Sequence, residues 1–329
     1  MTLPFMPVTT RLRVGVSALF DPDATPHART FMRALAVARN FIPNLAQVQW
    51  HFLDDGADAV RGADVAQRMI DWQADLVIGH FSSDAAVSAA PRYEQAGIAL
   101  LTPAATIDRL TQEHRNVFRF CPSDRQLAAD LVRWLVARQW ASVQVDADGS
   151  AHGQALAVAI GEALGAAGLR RVSDRDSADV EVFAGRLKAS REHWQARRQA
   201  GSVRPLVLTD DAASPHLGCA PAHDRNTFVI GFGTPDSHRC PASAWHRALF
   251  AAEPHTYFRE SLLMLHVLAV LAGSTERGQA LLNALHHNTL SAPLFSTPMG
   301  TVSFDQGECR TASTCLWKLG PAGLGAATD

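Results

Sequence analysis

At 329 residues, with 47% hydrophobic and 19% charged side chains, the chain has globular composition and exceeds the usual size of one domain, so two domains are expected. A formal charge of −2 leaves no cationic excess to neutralise phosphates, which excludes nucleic acid and an anionic bilayer surface as partners. The longest apolar run, residues 261–273, is interrupted by His266 and falls short of the roughly 20 residues that cross a bilayer, so it reads as a buried helix and no membrane insertion is expected.

The N-terminal stretch contains Pro4 and Pro7 and no cationic segment ahead of an apolar one. It does not read as a secretory signal, and the chain as it stands is expected in the cytoplasm, with export the alternative if a leader precedes it. Short apolar runs then alternate with longer stretches of helical period, the pattern that builds parallel sheets. Strands are expected over 12–17, 48–53, 76–79, 99–101, 117–120, 142–145, 180–184, 206–208 and 228–231. Helices are expected over about 28–40, 57–72, 84–95, 125–138, 153–167, 191–200, 256–271 and 278–286. In the second helix Val60, Ala63, Ala66 and Ile70 recur at helical intervals and are expected to face a sheet. Ser123 and Asp124 are good N-caps for the fourth.

An apolar strand ends at Cys121, and Pro122 and Ser123 open a new strand and helix series. The first lobe is expected to hold residues 12–121 plus about 250–298, and the second 122–249 plus about 299–329. The stretch 211–247 is rich in Pro, His, Ser and Asp and reads as loop around one strand. Five cysteines cannot all pair and form no CxxC, so scattered reduced thiols are expected, although Cys309 with Cys315, or Cys219 with Cys240, is bridgeable under oxidising conditions.

Two strand-end segments carry a family resemblance. VIGH-x-x-S at residues 77–83 and TPAAT-x-x-x-LT at 102–111, one helix apart, closely resemble the ligand-binding core of the leucine/isoleucine/valine-binding proteins, the solute receptors of branched-chain amino-acid ABC transporters. Fainter likeness runs through LDDGADA at 53–59, HGQALA at 152–157 and MGTVSFDQGE at 299–308. The resemblance implies a type I periplasmic binding protein: an α/β chain with two doubly wound parallel-sheet lobes joined by a multi-strand hinge. It also implies a periplasmic location as the alternative to the cytoplasm.

The residues of those loops point to binding on their own chemistry. Ser82 and Ser83, with Phe81 before them, follow a strand and open a helix, so their hydroxyls and the free N–H groups of its first turn suit a carboxylate. The competing reading makes Ser83 an N-cap. In the second loop Pro103 fixes φ and the small Ala104 and Ala105 admit a ligand close to the backbone. The resemblance implies that the Ala104 carbonyl accepts from a ligand ammonium, that Thr106 adds a hydroxyl to the carboxylate, and that Asp210 holds the ammonium, with Asp211 as the register alternative. His152 and Arg186 stand where the family carries aromatic residues, which implies a ligand other than leucine, isoleucine or valine and an acceptor facing Arg186. The loop 20–27, with Asp21, Asp23 and His27, departs from the family pattern and its contacts are left open.

No GxSxG, HExxH, P-loop or strand-linked GxGxxG occurs, so no catalytic residue and no cofactor is expected. His216, Cys219 and His223 lie close in sequence but in a proline-containing loop without a clear fourth ligand, so no metal is expected either. A Ser83-centred triad would require His80 or His152 within reach of Ser83. The expected partner is a small amino-acid-like or amide ligand, together with an ABC transporter permease or, for a cytosolic sensor of the same fold, a regulatory protein.

Overall fold

The computed structural model describes residues 11–221, 224–233, 241–287 and 295–327. Nine apolar runs form parallel strands in two separate sheets, and the helices between them cover the faces. In the first half these are β1 (Leu12–Ala18), β2 (Val48–Asp54), β3 (Leu76–Ile78), β4 (Ala99–Thr102) and β5 (Val117–Arg119), with α1 (His27–Ala38), α2 (Ala59–Asp71), α3 (Ser83–Gln95) and α4 (Arg109–Glu113) between them. The second half begins with α5 (Asp124–Ala137) and continues through β6 (Ser142–Ala147), α6 (Ala151–Ala166), β7 (Arg170–Arg171), β8 (Val180–Ala184), α7 (Leu187–Gln199), β9 (Leu206–Leu208) and β10 (Thr227–Phe232). Then come α8 (Pro241–Phe250), α9 (Phe258–Ala272) and α10 (Gln279–His286), followed by short C-terminal strands.

Those strands are β11 (Phe295–Thr297) and β12 (Gly300–Val302), which pair with each other, then β13 (Phe304–Asp305), β14 (Glu308–Cys309), β15 (Thr314–Gly320) and β16 (Gly323–Ala326). The first sheet runs β13-β14-β5-β4-β3-β1-β2 and the second β16-β15-β10-β9-β8-β6-β7. The chain is thus a two-lobed α/β fold whose sheets are each doubly wound. In the first sheet the order reverses between β1 and β3, and in the second between β6 and β8. At such switch points the loops diverge and leave a crevice at the C-terminal strand ends.

Local chemistry sets the helix starts. Asp58 accepts from the N–H groups of Val60 and Arg61, Ser123 from Gln126 and Ser150 from Gly153, so α2, α5 and α6 each open on a side-chain cap. At Gly79 φ is 118°, and a Cβ there would lie 2.1 Å from the Ser17 carbonyl oxygen, so glycine is required to turn β3 toward α3. The run 261–273 lies in α9, which packs on α1, and no helix among the described residues is long and apolar enough to cross a membrane.

Four sequence expectations are corrected. The helix α2 buries Gly62, Val65, Ala66 and Met69 instead of the Val60 face, and Val60 is 71% exposed. The reason is close packing on α3: a Cβ on Gly62 would lie 2.9 Å from Ala85 backbone atoms, so the small residue faces inward. The stretch 241–250, expected as second-lobe loop, is a helix begun by Pro241 that buries Ala242, Ser243 and His246 and packs on α1 of the first half. The C-terminal segment is divided between the sheets: β13 and β14 extend the first, whereas β15 and β16 join the second. Glu308 is what draws the first part away, since its strand pairs with Arg119 and its carboxylate meets the Arg119 guanidinium. Finally, α7 begins at Leu187, a turn before its expected start, with Leu187, Ser190 and Trp194 buried.

Cys121, Cys219, Cys309 and Cys315 are free thiols, so Cys309 and Cys315 are not bridged, while Cys240 lies outside the described residues.

Candidate ligand-binding site between the two sheets

The two switch points face each other across a cavity of about 350 Å³. From the first half it is lined by Leu19, Ala24, Thr25, His27, Ala57, Phe81, Ser82, Ser83 and Ala104. From the second half come Asp148, His152, Arg186, Lys188, Ala189, Glu192 and Asp211. This volume falls within the range of small-molecule sites.

On the first side, α3 presents an open N-terminus. Ser82 is its N-cap but makes no capping hydrogen bond. Ser83 occupies the first helical position, is 3% exposed, and its hydroxyl has no hydrogen-bond partner among the described residues. The N-cap reading of Ser83 is therefore replaced: its hydroxyl and the first-turn N–H groups face the cavity unused. Phe81 stacks edge-on against His27 and Phe31 beneath them.

The second loop is anchored from behind. Arg119, wholly buried, donates to the carbonyls of Thr106 (2.8 Å) and Ile107 (2.7 Å), to Thr111 Oγ1 (3.1 Å) and to Glu308. Ala104 reaches the cavity, whereas Ala105 and Thr106 do not line it. Thr106 Oγ1 instead lies 3.2 Å from His152 Nδ1, where it orients that ring.

On the second side the charges are paired within the protein. His152 Nε2 lies 3.5 Å from Asp210 Oδ1, and Tyr257 donates to Asp210 Oδ2 (2.7 Å) and Asp211 Oδ1 (2.9 Å). His27 Nε2, from the first half, is 2.8 Å from Asp211 Oδ1. Burial opposes charge on His152, but Asp210, Asp211 and Asp124 outweigh it and push the imidazole up to about 10. Asp211, against the same burial, is held well below the usual carboxylate range by His27, His152 and Tyr257. Asp210 does not line the cavity, whereas Asp211, one residue later, does.

Arg186 reaches across the cleft, with its Nη2 2.6 Å from Asp84 Oδ2, 3.1 Å from the Ala57 carbonyl and 3.3 Å from Ser82 Oγ. The acceptor expected on a ligand is thus supplied by the first half of the chain itself. Asp148 is also committed, accepting from the N–H groups of Ser150 (3.0 Å) and Arg186 (2.8 Å).

Leu19, Ala24, Thr25, His27, Ala57, Asp148, Lys188, Ala189 and Glu192 line the cavity without having been assigned a contact there, and Asp211, the register alternative, lines it in place of Asp210. Strand-end position was the available signal for Leu19, Asp148 and Asp211. The pairing of His27 with Asp211 joins residues 184 apart and leaves no local trace.

A Ser83 triad does not assemble among the described residues. His80 is buried with Nδ1 2.8 Å from Asp55 Oδ2 and 3.0 Å from Ser17 Oγ, and with Nε2 3.1 Å from Tyr93 Oη. This network ties the ends of β1, β2 and β3 together outside the cavity lining. His152, Asp210 and Asp211 lie close enough to surround a cation, but Asp211 is taken up by His27 and Tyr257 and Asp210 Oδ2 by Tyr257, which leaves His152 Nε2 facing Asp210 Oδ1 at 3.5 Å. His216 turns Nδ1 to Asp23 (2.9 Å), and His223 lies outside the described residues.

Residues 20–193, more than half of the chain, match the model of the periplasmic binding protein family. The chain belongs to the periplasmic binding protein family. An amino acid binding protein of Pseudomonas aeruginosa is 31% identical over 147 residues, which is 42% of this chain and 38% of that protein's length. The matched part of that relative is therefore well under half of it. Among solved structures, a leucine binding protein of Thermotoga maritima superposes with a TM-score of 0.83 at 17% identity, covering 96% of this chain and 98% of its own. A Rhodopseudomonas palustris ABC-transporter solute binding protein in complex with benzoate superposes with a TM-score of 0.76 at 14% identity, over 97% and 98% of the two chains. At these identities the superpositions establish the fold, which is the two-lobed arrangement seen here.

Proposed function

We propose that this protein is a solute-binding protein that closes its two lobes on a small carboxylate-bearing ligand of amino-acid or amide size and serves as the solute receptor of an ABC transporter. The observation that carries the reading is the unused hydroxyl of Ser83 at the uncapped N-terminus of α3, facing a cavity of about 350 Å³. Free first-turn N–H groups and the helix dipole favour a negative charge at that point. Ser82, Ser83 and Ala104 supply the first wall and His152, Arg186 and Asp211 the second. In this reading Thr106 and Asp210 act one layer back, by fixing His152, and Ala105 shapes the loop.

Closure around the ligand would exclude water and strengthen each polar contact. The solved relatives named for leucine and for benzoate support a site that takes small carboxylates, and the Arg186 bridge to Asp84 supports a closed form held by cross-cleft pairs. Binding is non-covalent in this reading, with no catalytic step.

A thermal-shift screen against amino acids, short amides and amine-free carboxylates tests it. A ligand at about 100 times its dissociation constant stabilises the folded state by about 2.7 kcal/mol, several degrees for a protein of this size. At least one carboxylate is expected to shift the transition, and a flat response across all carboxylates would refute the reading.

A further inference from the structure

Resting on that reading, the distribution of charge around the cavity specifies the ligand further. The buried carboxylates nearest the cavity are engaged largely by the protein itself, although Asp210 Oδ1 and both oxygens of Asp124 make no hydrogen bond among the described residues. Asp211 meets His27 and Tyr257, Asp210 meets Tyr257 and His152, and Asp148 accepts two backbone N–H groups. Asp84 is held by Arg186. The remaining acid of the lining, Glu192, is exposed at the rim.

The groups left open have the opposite preference. The Ser83 hydroxyl and the α3 N-terminus are free to donate, while Lys188 is exposed at the rim like Glu192 one turn on and offsets its charge. Thr106 holds His152 through Nδ1, which directs Nε2 at Asp210. The ring carries its proton at neutral pH because three carboxylates surround it. A ligand ammonium brought to Asp210 or Asp211 would have to displace this imidazolium or sit against it, and like charges at that range repel.

We propose that the ligand is a carboxylate lacking an α-ammonium group, and that His152 is the residue that excludes the amine. The imidazolium occupies the position from which an ammonium would address Asp210, and its removal would expose that acid to the cavity. Aliphatic and aromatic acids with a short apolar body fit the remaining wall of Leu19, Ala24, Phe81 and Ala189.

Titration calorimetry on matched pairs decides the matter, using leucine with 4-methylpentanoate and phenylalanine with 3-phenylpropanoate, each pair sharing its carbon skeleton. In the unaltered protein the amine-free member of at least one pair is expected to bind more tightly by about tenfold or more, the consequence of roughly 1.4 kcal/mol. In His152→Gln, which keeps a polar group beside Thr106, this preference is expected to shrink or invert. Tighter binding of the amino acids by the unaltered protein would overturn the inference while leaving the carboxylate site intact. An unchanged ratio in the variant would remove His152 from the role. Failure of all four compounds to bind would count against this ligand class and, joined to a flat thermal-shift screen, against the proposed function itself. If His152→Gln does not fold, the ratio in the unaltered protein decides alone.

Discussion

The two walls of the cleft use polar groups in opposite ways. The first-half wall ends in an uncapped helix and a buried hydroxyl without a partner, and its one deep cation, Arg119, points away from the cavity to hold the loop behind it. The second-half wall carries more charge, but much of it is spent within the protein, Asp211 on His27 and Tyr257 and Asp210 on Tyr257, while His152 Nε2 faces Asp210 Oδ1 at 3.5 Å as an ion pair without a hydrogen bond. A charged wall is therefore not the same thing as a receptive one. What matters for binding is which groups keep unspent hydrogen-bonding capacity once the chain has folded, because only those gain from a ligand.

The largest expected effect comes from breaking the support of the first wall. Arg119→Met would strip the Thr106 and Ile107 carbonyls of their side-chain donor, leaving only the N–H groups of Asp124 and Leu110, and would leave Glu308 without its cation. Removing one member of such a buried network costs about 3–5 kcal/mol, to be read as a fall in the denaturant midpoint. A loss below about 1 kcal/mol would mean that the loop is held by its own turn and not by the guanidinium.

A third buried acid sharpens the contrast between satisfied and unsatisfied charge. Glu260 in α9 is wholly buried, neither carboxyl oxygen has a hydrogen-bond partner among the described residues, and Arg259 is 3.8 Å away. Burial raises its carboxyl from 4.5 to about 7, against the pull of Arg259. The folded state therefore binds the proton more tightly than the unfolded one, so stability from this group is full below about pH 4.5 and is lost as pH rises toward 7. Glu260→Gln should match the unaltered protein at pH 4 and exceed it at pH 8 by about 3 kcal/mol, from roughly 1.4 kcal/mol per unit. Equal stabilities at pH 8 would show that the carboxylate is solvated or paired when ionised. Asp211 has the reverse sign, since its lowered range gives stability that is present above the unfolded carboxylate range and lost on strong acidification.

Much of the first wall was legible in the sequence because its determinants are contiguous. Each of the segments 77–83 and 102–111 is a strand end, a turn and a helix start within ten residues; the first folds as read, whereas the short helix α4 that starts at Arg109 was not among the expected helices. The alternation of apolar runs and helical periods likewise gave both sheets, since a parallel strand buried on two faces must be apolar throughout. The second wall was harder to read because its meaning lies in partners distant in sequence. Arg186 read as an unpaired guanidinium until Asp84, 102 residues earlier, met it across the cleft. Asp210 and Asp211 differ in sequence by one position, yet of the two, both in a short 3-10 turn over Asp210–Ala212, only Asp211 lines the cavity. Helix α8 escaped notice because its buried face is made of Ala242, Ser243 and His246 while its large apolar residues Trp245 and Leu249 stay exposed, so no apolar stripe of helical period marks it.

An intermediate effect is expected where the first wall meets the ligand. The Ser83 hydroxyl has no structural partner to lose, so Ser83→Ala should leave the denaturation midpoint within about 0.5 kcal/mol. The same change removes one hydrogen bond to a charged group and should weaken binding of the best carboxylate by about tenfold, from roughly 1.5–3 kcal/mol. Calorimetry on a ligand found in the thermal-shift screen reads both limits. Unchanged affinity would mean that the backbone N–H groups alone hold the carboxylate.

The smallest effect is expected at the pair that joins the two walls. Arg186 and Asp84 lie 2.6 Å apart, but their side chains are 33% and 22% exposed, so water and salt screen the attraction. Asp84→Asn removes the charge and keeps one acceptor oxygen of two, which can serve Arg186 while the Ala151 N–H, now 3.3 Å from Asp84 Oδ1, loses a weak partner. The stability of the ligand-free protein should fall by less than about 1 kcal/mol, and by less still in 0.5 M salt. The informative comparison is between stability and affinity in the same variant. If the pair mainly holds the closed form, the charge deletion should weaken ligand binding while scarcely moving the unfolding midpoint, because a bridge made across the cleft after each lobe has folded stabilises closure and not folding. A fall of more than 2 kcal/mol in stability with affinity unchanged would reverse that assignment and make Arg186 a structural strut of the fold.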